Sequence, residues 1–318
     1  MAEKKEIVKG TSLWKDAWRR LLKNKLATFG MVVMALMTML VIFGPVILSY
    51  FFGITPSGVP ANSDLLKSFA PSLQHPMGTD DLGRDLFARV LQGGRISLMV
   101  GIISTVVSLL VGVSYGAISG YLGGRTDNLM MRIVDIFYAI PYILIVIVLL
   151  QVFKGDNTPT FIAKISEAFG GGGALNQIFL LFFALGLVSW LTMARVVRGQ
   201  VLSLKNQEFV LAAKATGVST PGIIFKHIVP NTLGPVIVYA TLTIPSVMLT
   251  EAFLSYLGMG VQAPYASWGS LAAEGIKNIA IFPWQLIFPG VTMALTLFSL
   301  NFLGDGLRDA LDPQSRKF

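Results

Sequence analysis

Residues 26–52 read LATFGMVVMALMTMLVIFGPVILSYFF, without a single charged side chain. As a helix at ~1.5 Å per residue, such a run is ~40 Å long and covers the ~30 Å of hydrocarbon in a bilayer. Working outward, the charged residues bracket five more apolar runs. Arg95 and Arg125 enclose 96–124, and 133–153 carries only Asp135. The fourth run lies between Glu167 and Arg195 and turns apolar near Ile178; Lys226 to Glu251 and Lys277 to Asp305 hold the fifth and sixth. A transmembrane barrel would instead show ~10-residue segments of alternating polarity. The expected fold is an all-α integral membrane protein with six transmembrane helices.

Composition agrees. Of 318 residues 53% are hydrophobic and 13% charged, against about 25% charged in ordinary soluble domains. With no cysteine, a disulfide scaffold and a Cys-ligated metal site are excluded. High Leu, Ile, Val and Phe content excludes disorder.

Six spans place both termini on one side. If that side is cytoplasmic, the N-terminal tail, the 2–3 and 4–5 connections and the C-terminus together hold eighteen of the 25 basic residues. The positive-inside rule then gives N-in, C-in. The same distribution accounts for the net charge of +8 without nucleic acid. The first apolar run is too long for a signal-peptide core and is expected to remain as a helix. Ahead of it, Trp14, Ala17, Trp18 and Leu21 share one face of a helical segment with basic residues opposite, the pattern of an amphipathic helix lying in the lipid interface.

Nothing in the chain has the pattern of a catalytic centre. There is no GxxxxGK[ST] loop; the Gly170–Gly173 run lacks the Lys and hydroxyl that would hold phosphate and magnesium. His75 and His227 fall on opposite membrane sides and cannot share a metal. Two ionisable residues stand within spans, where such groups are candidates for a transport path. Asp135 lies three residues after Arg132, with which it can pair along the helix. Glu251 lies near the outer end of span five beside Thr250.

The 4–5 connection, residues 195–231, is long and built like a docking element. Asn206 can cap a helix over 207–216, with Glu208 in the first turn. Ala212 and Ala213 would leave a shallow face for another protein's groove. Gly217 supplies the left-handed residue that ends it, and Thr220-Pro221 starts a second helix running into span five.

This segment, Glu208-Phe209-Val210-Leu211-Ala212-Ala213-Lys214-Ala215-Thr216-Gly217 followed by Ile228-Val229-Pro230-Asn231, resembles the EAA loop of ABC importer permeases. Ala212, Ala213, Gly217 and Pro230 fall in register; Leu211, His227 and Val229 depart from that pattern. The displaced acid at Glu208 and the ending His227–Asn231 are similar to the peptide and nickel branch. So are the segments 75–85, 94–98, 119–124, 131–135, 254–260 and 304–313, and the likeness is greatest to the C-type chains of oligopeptide permeases. It covers roughly residues 12–316.

The resemblance implies the type I ABC importer permease fold in the bacterial inner membrane. It implies a tail at 1–25, a first span at 26–52, an extracytoplasmic segment at 53–95, a five-helix core at 96–304 and a cytoplasmic tail at 305–318. The expected partners are a second homologous permease, two cytoplasmic ATP-binding subunits, an extracytoplasmic substrate-binding protein and membrane lipid. ATP and magnesium would act in the partner subunits, with no cofactor in this chain. The ATPase-coupling residues would be Glu208, Phe209, Ala212, Ala213 and Gly217, and Ala213→Arg is expected to uncouple transport without blocking insertion. The pathway candidates remain Glu251 and Asp135. The expected cargo is an oligopeptide, with dipeptide and nickel as alternatives. A stand-alone ion-coupled carrier would need internal repeats and buried carboxylates at the midplane; a non-transporting scaffold would not need a coupling loop.

Overall fold

The computed structural model describes residues 13–60, 63–170 and 172–311, apart from the side chains of Leu13, Trp14 and Asp156. The basic tail positions Lys4, Lys5, Lys9, Arg316 and Lys317, and Trp14's part in the interfacial face, lie outside what is described.

Helix α1 (Leu13–Lys23) is followed at once by α2 (Lys25–Phe52). Asn24 between them accepts hydrogen bonds at its side-chain oxygen from the N–H groups of Leu26 and Ala27, at 3.1 and 3.2 Å, satisfying two donors a helix start leaves open. A short turn, α3 (Ser63–Leu66), precedes the long α4 (Leu86–Leu122). Next come α5 (Gly124–Ala139), α6 (Tyr142–Val152), α7 (Thr160–Ala168), α8 (Gly173–Leu204) and α9 (Glu208–Ala215). The turn α10 (Thr220–Gly222) leads through a π-helical stretch, Ile223–Ile228, and a 3-10 turn, Val229–Thr232, into α11 (Leu233–Tyr256). Then α12 (Trp268–Ile276) and α13 (Trp284–Leu311) complete the described chain.

Among the described residues five continuous helical segments are long and apolar enough to cross a membrane: Lys25–Phe52, Leu86–Leu122, Gly173–Leu204, Thr220–Tyr256 and Trp284–Leu311. The bent pair α5 and α6 makes a sixth if it counts as one span, and here the expectation of a plain helix over 133–153 is corrected. The two helices meet at 86°. Pro141 is the cause: it has no N–H to donate and drives the preceding Ile140 to extended backbone, φ −92° and ψ 130°. A second difference is that α4 begins at Leu86, well before the uncharged stretch, because Asp85 caps it by accepting from the Ala88 N–H at 2.8 Å.

The pairing of α4 with α8 is the backbone of the bundle. Gly112, Gly116 and Gly120 follow each other at four-residue intervals on α4, and α8 lies directly on them. A Cβ at Gly116 would sit 2.3 Å from the Ala194 carbonyl oxygen, and one at Gly112 2.6 Å from the Met193 Cβ. In lipid there is little hydrophobic drive between helices, so such close backbone approach supplies the packing. Below the glycine stripe Arg198 forks onto Asp127, with Nε–Oδ1 and Nη2–Oδ2 both at 2.6 Å, while Ser119 Oγ donates to the same carboxylate at 2.5 Å. This locks α4, α5 and α8 together at one end.

Helix α1 packs Ala17 and Leu21 on Ala27 of α2 and Ala310 of α13. The expected apolar face therefore divides: Ala17 and Leu21 are buried, whereas Trp18 is 53% exposed. The contact also brings the N-terminal helix to the end of α13.

Candidate functional site

Helix α9 packs on the π-helical stretch Ile223–Ile228, and its Val210 and Ala213 join a cluster with Ala117 of α4 and Val197 and Val201 of α8. Its N-cap is Gln207, whose side chain makes no capping bond, so the expectation that Asn206 caps it is corrected. Glu208 occupies the first turn, where an acid favours the helix dipole. The helix stops at Gly217, φ +79°, with the Val218 N–H donating back to the Ala213 carbonyl at 3.1 Å and the Gly217 N–H to Lys214 at 3.1 Å. Beyond it Pro221 falls in the first turn of α10 and the chain runs into α11 without a break, as expected.

Val210 and Ala213 face inward, into a cluster that includes Met193, Val197, Ile223, Ile224 and Ile228. Glu208, Phe209, Leu211, Ala212 and Gly217 are exposed. The expected docking face of Ala212 with Ala213 is thus split: Ala212 is available to a partner, Ala213 is 8% exposed and belongs to the packing beneath. An arginine at Ala213 would therefore enter this packed cluster rather than stand on the exposed face. Lys214 places its ammonium 5.3 Å from the Tyr121 ring centroid, tying α9 to α4.

The π-helical stretch between α9 and α11 has a local reason. Pro230 cannot donate to the carbonyl one turn back, and π and 3-10 adjustments redistribute the freed backbone groups. The result is a continuous rod from Thr220 to Tyr256, bearing α9 at one end.

A groove of about 570 Å³ opens along the bundle, lined from α5, α6, α8 and α11. Its walls carry Tyr138, Tyr142, Ser189, Thr192, Tyr239, Thr243, Ser246 and Thr250 among apolar side chains, and no charged residue. Tyr138 hydrogen-bonds Thr192 across the groove, and the Tyr142 hydroxyl lies 3.3 Å from Thr250 Oγ1. The broken backbone at Ile140-Pro141 forms part of this wall; non-helical chain at membrane depth is tolerated where it lines a cavity. Sequence reasoning missed this lining. A signal existed: Tyr239, Thr243, Ser246 and Thr250 recur at the spacing of one helical face.

Of the two pathway candidates, Asp135 lies one turn from Tyr138, at the groove end nearer α9. It accepts from Arg195 Nη2 of α8 at 2.7 Å, not from Arg132 on its own helix. Glu251 turns away from the groove. It is 1% exposed and its Oε1 accepts from the hydroxyls of Ser255 and Ser267, both at 2.6 Å, joining α11 to the start of α12. Its neighbour Thr250 faces the groove instead.

At the opposite end, the segment before α4 folds onto α12 and α13 through a charged knot. Asp80 Oδ2 accepts from Arg84 and from Arg89, each at 2.7 Å, and Arg89 also reaches Glu274 at 2.7 Å. Asp81 accepts from Ser68 at 2.9 Å, Asn278 at 2.7 Å and Gln285 at 3.1 Å. Burial alone would raise the Asp81 pKa, but these hydrogen bonds and the Arg89 charge outweigh it and hold the carboxyl below its ordinary value. Among the described residues no three His, Asp or Glu side chains group as metal ligands.

The packed helical bundle, with the exposed short helix α9 ahead of the Thr220–Tyr256 rod, is matched by a family model. Residues 112–317 fit the model described as binding-protein-dependent transport system inner membrane component. The chain belongs to that family. Residues 12–62 fit a second model, the N-terminal transmembrane domain of oligopeptide transport permease C. The OppC oligopeptide transport permease of Bacillus subtilis is 46% identical over 310 residues, covering 97% of this chain and 92% of the relative. That of Escherichia coli K12 is 46% identical over 317 residues, covering 99% and 95%. The Bacillus subtilis dipeptide permease DppC is 43% identical over 307 residues, covering 96% and 87%. Among solved structures, a chain of the MetNI methionine ABC transporter aligns with TM-score 0.51 at 16% identity, covering 70% of this chain and 96% of that one. This supports the type I importer permease fold for a multi-pass membrane protein.

Proposed function

We propose that this chain is an OppC-type permease of an ATP-driven oligopeptide importer in the bacterial inner membrane, contributing half of the translocation pathway. The observation that carries the reading is the near full-length likeness to the oligopeptide permeases at 46% identity. An open groove on one side of the bundle agrees, because half a channel needs a second permease to close it. The chain itself is non-catalytic in this reading, and ATP with magnesium acts in two partner ATPases.

The exposed residues Glu208, Phe209, Ala212 and Gly217 receive an ATPase on the cytoplasmic side, with N-in and C-in orientation. Ala213 supports them from beneath. ATP binding draws the ATPases together and displaces α9. That motion passes through the Lys214–Tyr121 contact and the apolar cluster to α4 and α8, and through the rod 220–256 to the groove wall. The bundle then switches between two packed arrangements. The charged knot around Arg89 builds the outer surface that meets the binding protein.

ATP-dependent uptake by the reconstituted complex tests this, comparing dipeptides, tripeptides, longer peptides and free nickel. Uptake favouring three or more residues supports the oligopeptide assignment. Uptake confined to dipeptides would favour the second reading, to which the 43% identity with a dipeptide permease points. No ATP-dependent uptake with all partners present would refute both.

A further inference from the structure

Two arginines on α8, one turn apart, are used in opposite ways. Arg198 is committed: one two-donor edge, Nε and Nη2, is bonded to both oxygens of Asp127, a side chain only 9% exposed. Arg195 is not. A single hydrogen bond, Nη2 to Asp135 Oδ1 at 2.7 Å, links a side chain 43% exposed to one 55% exposed. Neither side chain is therefore enclosed by this chain alone. Yet the guanidinium is held in place, its Cζ 3.9 Å from the Tyr138 ring centroid, with Tyr138 braced by Thr192. Both Tyr138 and Thr192 line the uncharged groove, so the pair sits just beyond its lining, against Tyr138.

We infer that Arg195 is a docking point for the free carboxylate of a peptide leaving the groove, with Asp135 holding the guanidinium in readiness. This rests on the groove being the peptide's path. The chemistry fits a planar two-oxygen anion. Nη2 spends one of its two hydrogens on Asp135, and Nε and Nη1 bond no protein group among the described residues. One two-donor edge of the guanidinium therefore stays open, and a carboxylate can take it bidentately. The peptide carboxylate replaces or joins that of Asp135, so a charge travelling through a groove of hydroxyls and apolar side chains meets its partner before it reaches water. The role is specificity: peptides with a free C-terminus gain at this point, and those with a blocked one do not.

The test uses the complete complex in proteoliposomes, with binding protein and ATPases, and compares ATP-driven uptake of one peptide as free acid and as C-terminal amide. The wild-type ratio of the two rates is the reference, since the binding protein is the same throughout. Arg195→Gln is expected to lower transport of the free acid about tenfold, the worth of a charge-assisted hydrogen bond, and of the amide less than twofold. Arg195→Lys should restore part of the difference. The exchange Asp135→Arg with Arg195→Asp would rebuild a merely structural pair; here it should leave free-acid transport low. An equal fall for both peptides, or full recovery in the exchange, overturns the inference. Ser246→Trp, which fills the groove, separates the two levels: if it leaves uptake unchanged, the groove is not the path. If it blocks uptake while Arg195→Gln shows no selectivity, the path stands and the docking point fails.

Discussion

Substituting arginine at two adjacent alanines of α9 separates docking from folding. At Ala212 the side chain is exposed, so Ala212→Arg costs the bundle within about 0.5 kcal/mol. At an interface core an unmatched cation is costly: with about 3 kcal/mol lost, ATPase binding weakens roughly 150-fold. At Ala213, 8% exposed and packed among Val210, Ile223 and Ile224, the same change forces a long cation into a filled apolar cluster. Overpacking and desolvation there cost about 3 kcal/mol or more and lift α9 from α4 and α8. The assay titrates solubilised permease with the ATPases and follows limited proteolysis of residues 205–220. Ala212→Arg should show wild-type proteolysis and poor binding, with uptake lost; Ala213→Arg should show rapid cleavage at α9. Unchanged ATPase binding and uptake in Ala212→Arg would refute the assigned face, and equal proteolysis in both variants would refute the assigned burial.

Gly116→Val should lower the melting temperature of the detergent-solubilised permease by several degrees, since even one Cβ would press on the Ala194 carbonyl; an unshifted melt would contradict the close α4–α8 packing. Glu251→Gln keeps an oxygen that can accept from Ser255 and Ser267, and should retain uptake, whereas Glu251→Leu removes the acceptor of both buried hydroxyls and should destabilise by about 2 kcal/mol; loss of uptake in Glu251→Gln with an unchanged melt would return Glu251 to a transport role. For Asp81 the folded pKa lies below its ordinary 3.8, so its ionised form adds stability that is complete above pH 3.8 and fades as pH falls through the lower folded value. Proteolytic protection of residues 63–85 should therefore hold from about pH 7 to about pH 5 and fall only below about pH 4 in wild type. Asp81→Asn should be less protected near neutral pH and flatter with pH, and a variant as protected as wild type would remove Asp81 from the knot.

Sequence alone located the five continuous spans and the short helix α9. Lipid penalises charge so heavily that uncharged runs mark helices without any knowledge of neighbours, and Gly217 ends α9 through a backbone preference carried by one residue. Sequence alone also located the short helix of the 4–5 connection, because a long connection with an acid in its first turn and a glycine stop is a local pattern. Tertiary structure decided which side of each helix faces what. Ala212 and Ala213 are identical in composition and adjacent in order, yet a step of about 100° around α9 leaves one exposed and sends the other into the core. Asp135 had a plausible partner in Arg132 three residues away, and the fold gave it Arg195 from another helix. The groove was hidden for the same reason: its hydroxyls come from four helices, and only packing brings them to one wall. Even the Pro141 break, visible as a letter, became a wall element only because the 86° bend left its backbone facing a cavity. Local chemistry is written along the chain, whereas the assignment of faces depends on contacts between residues far apart in it.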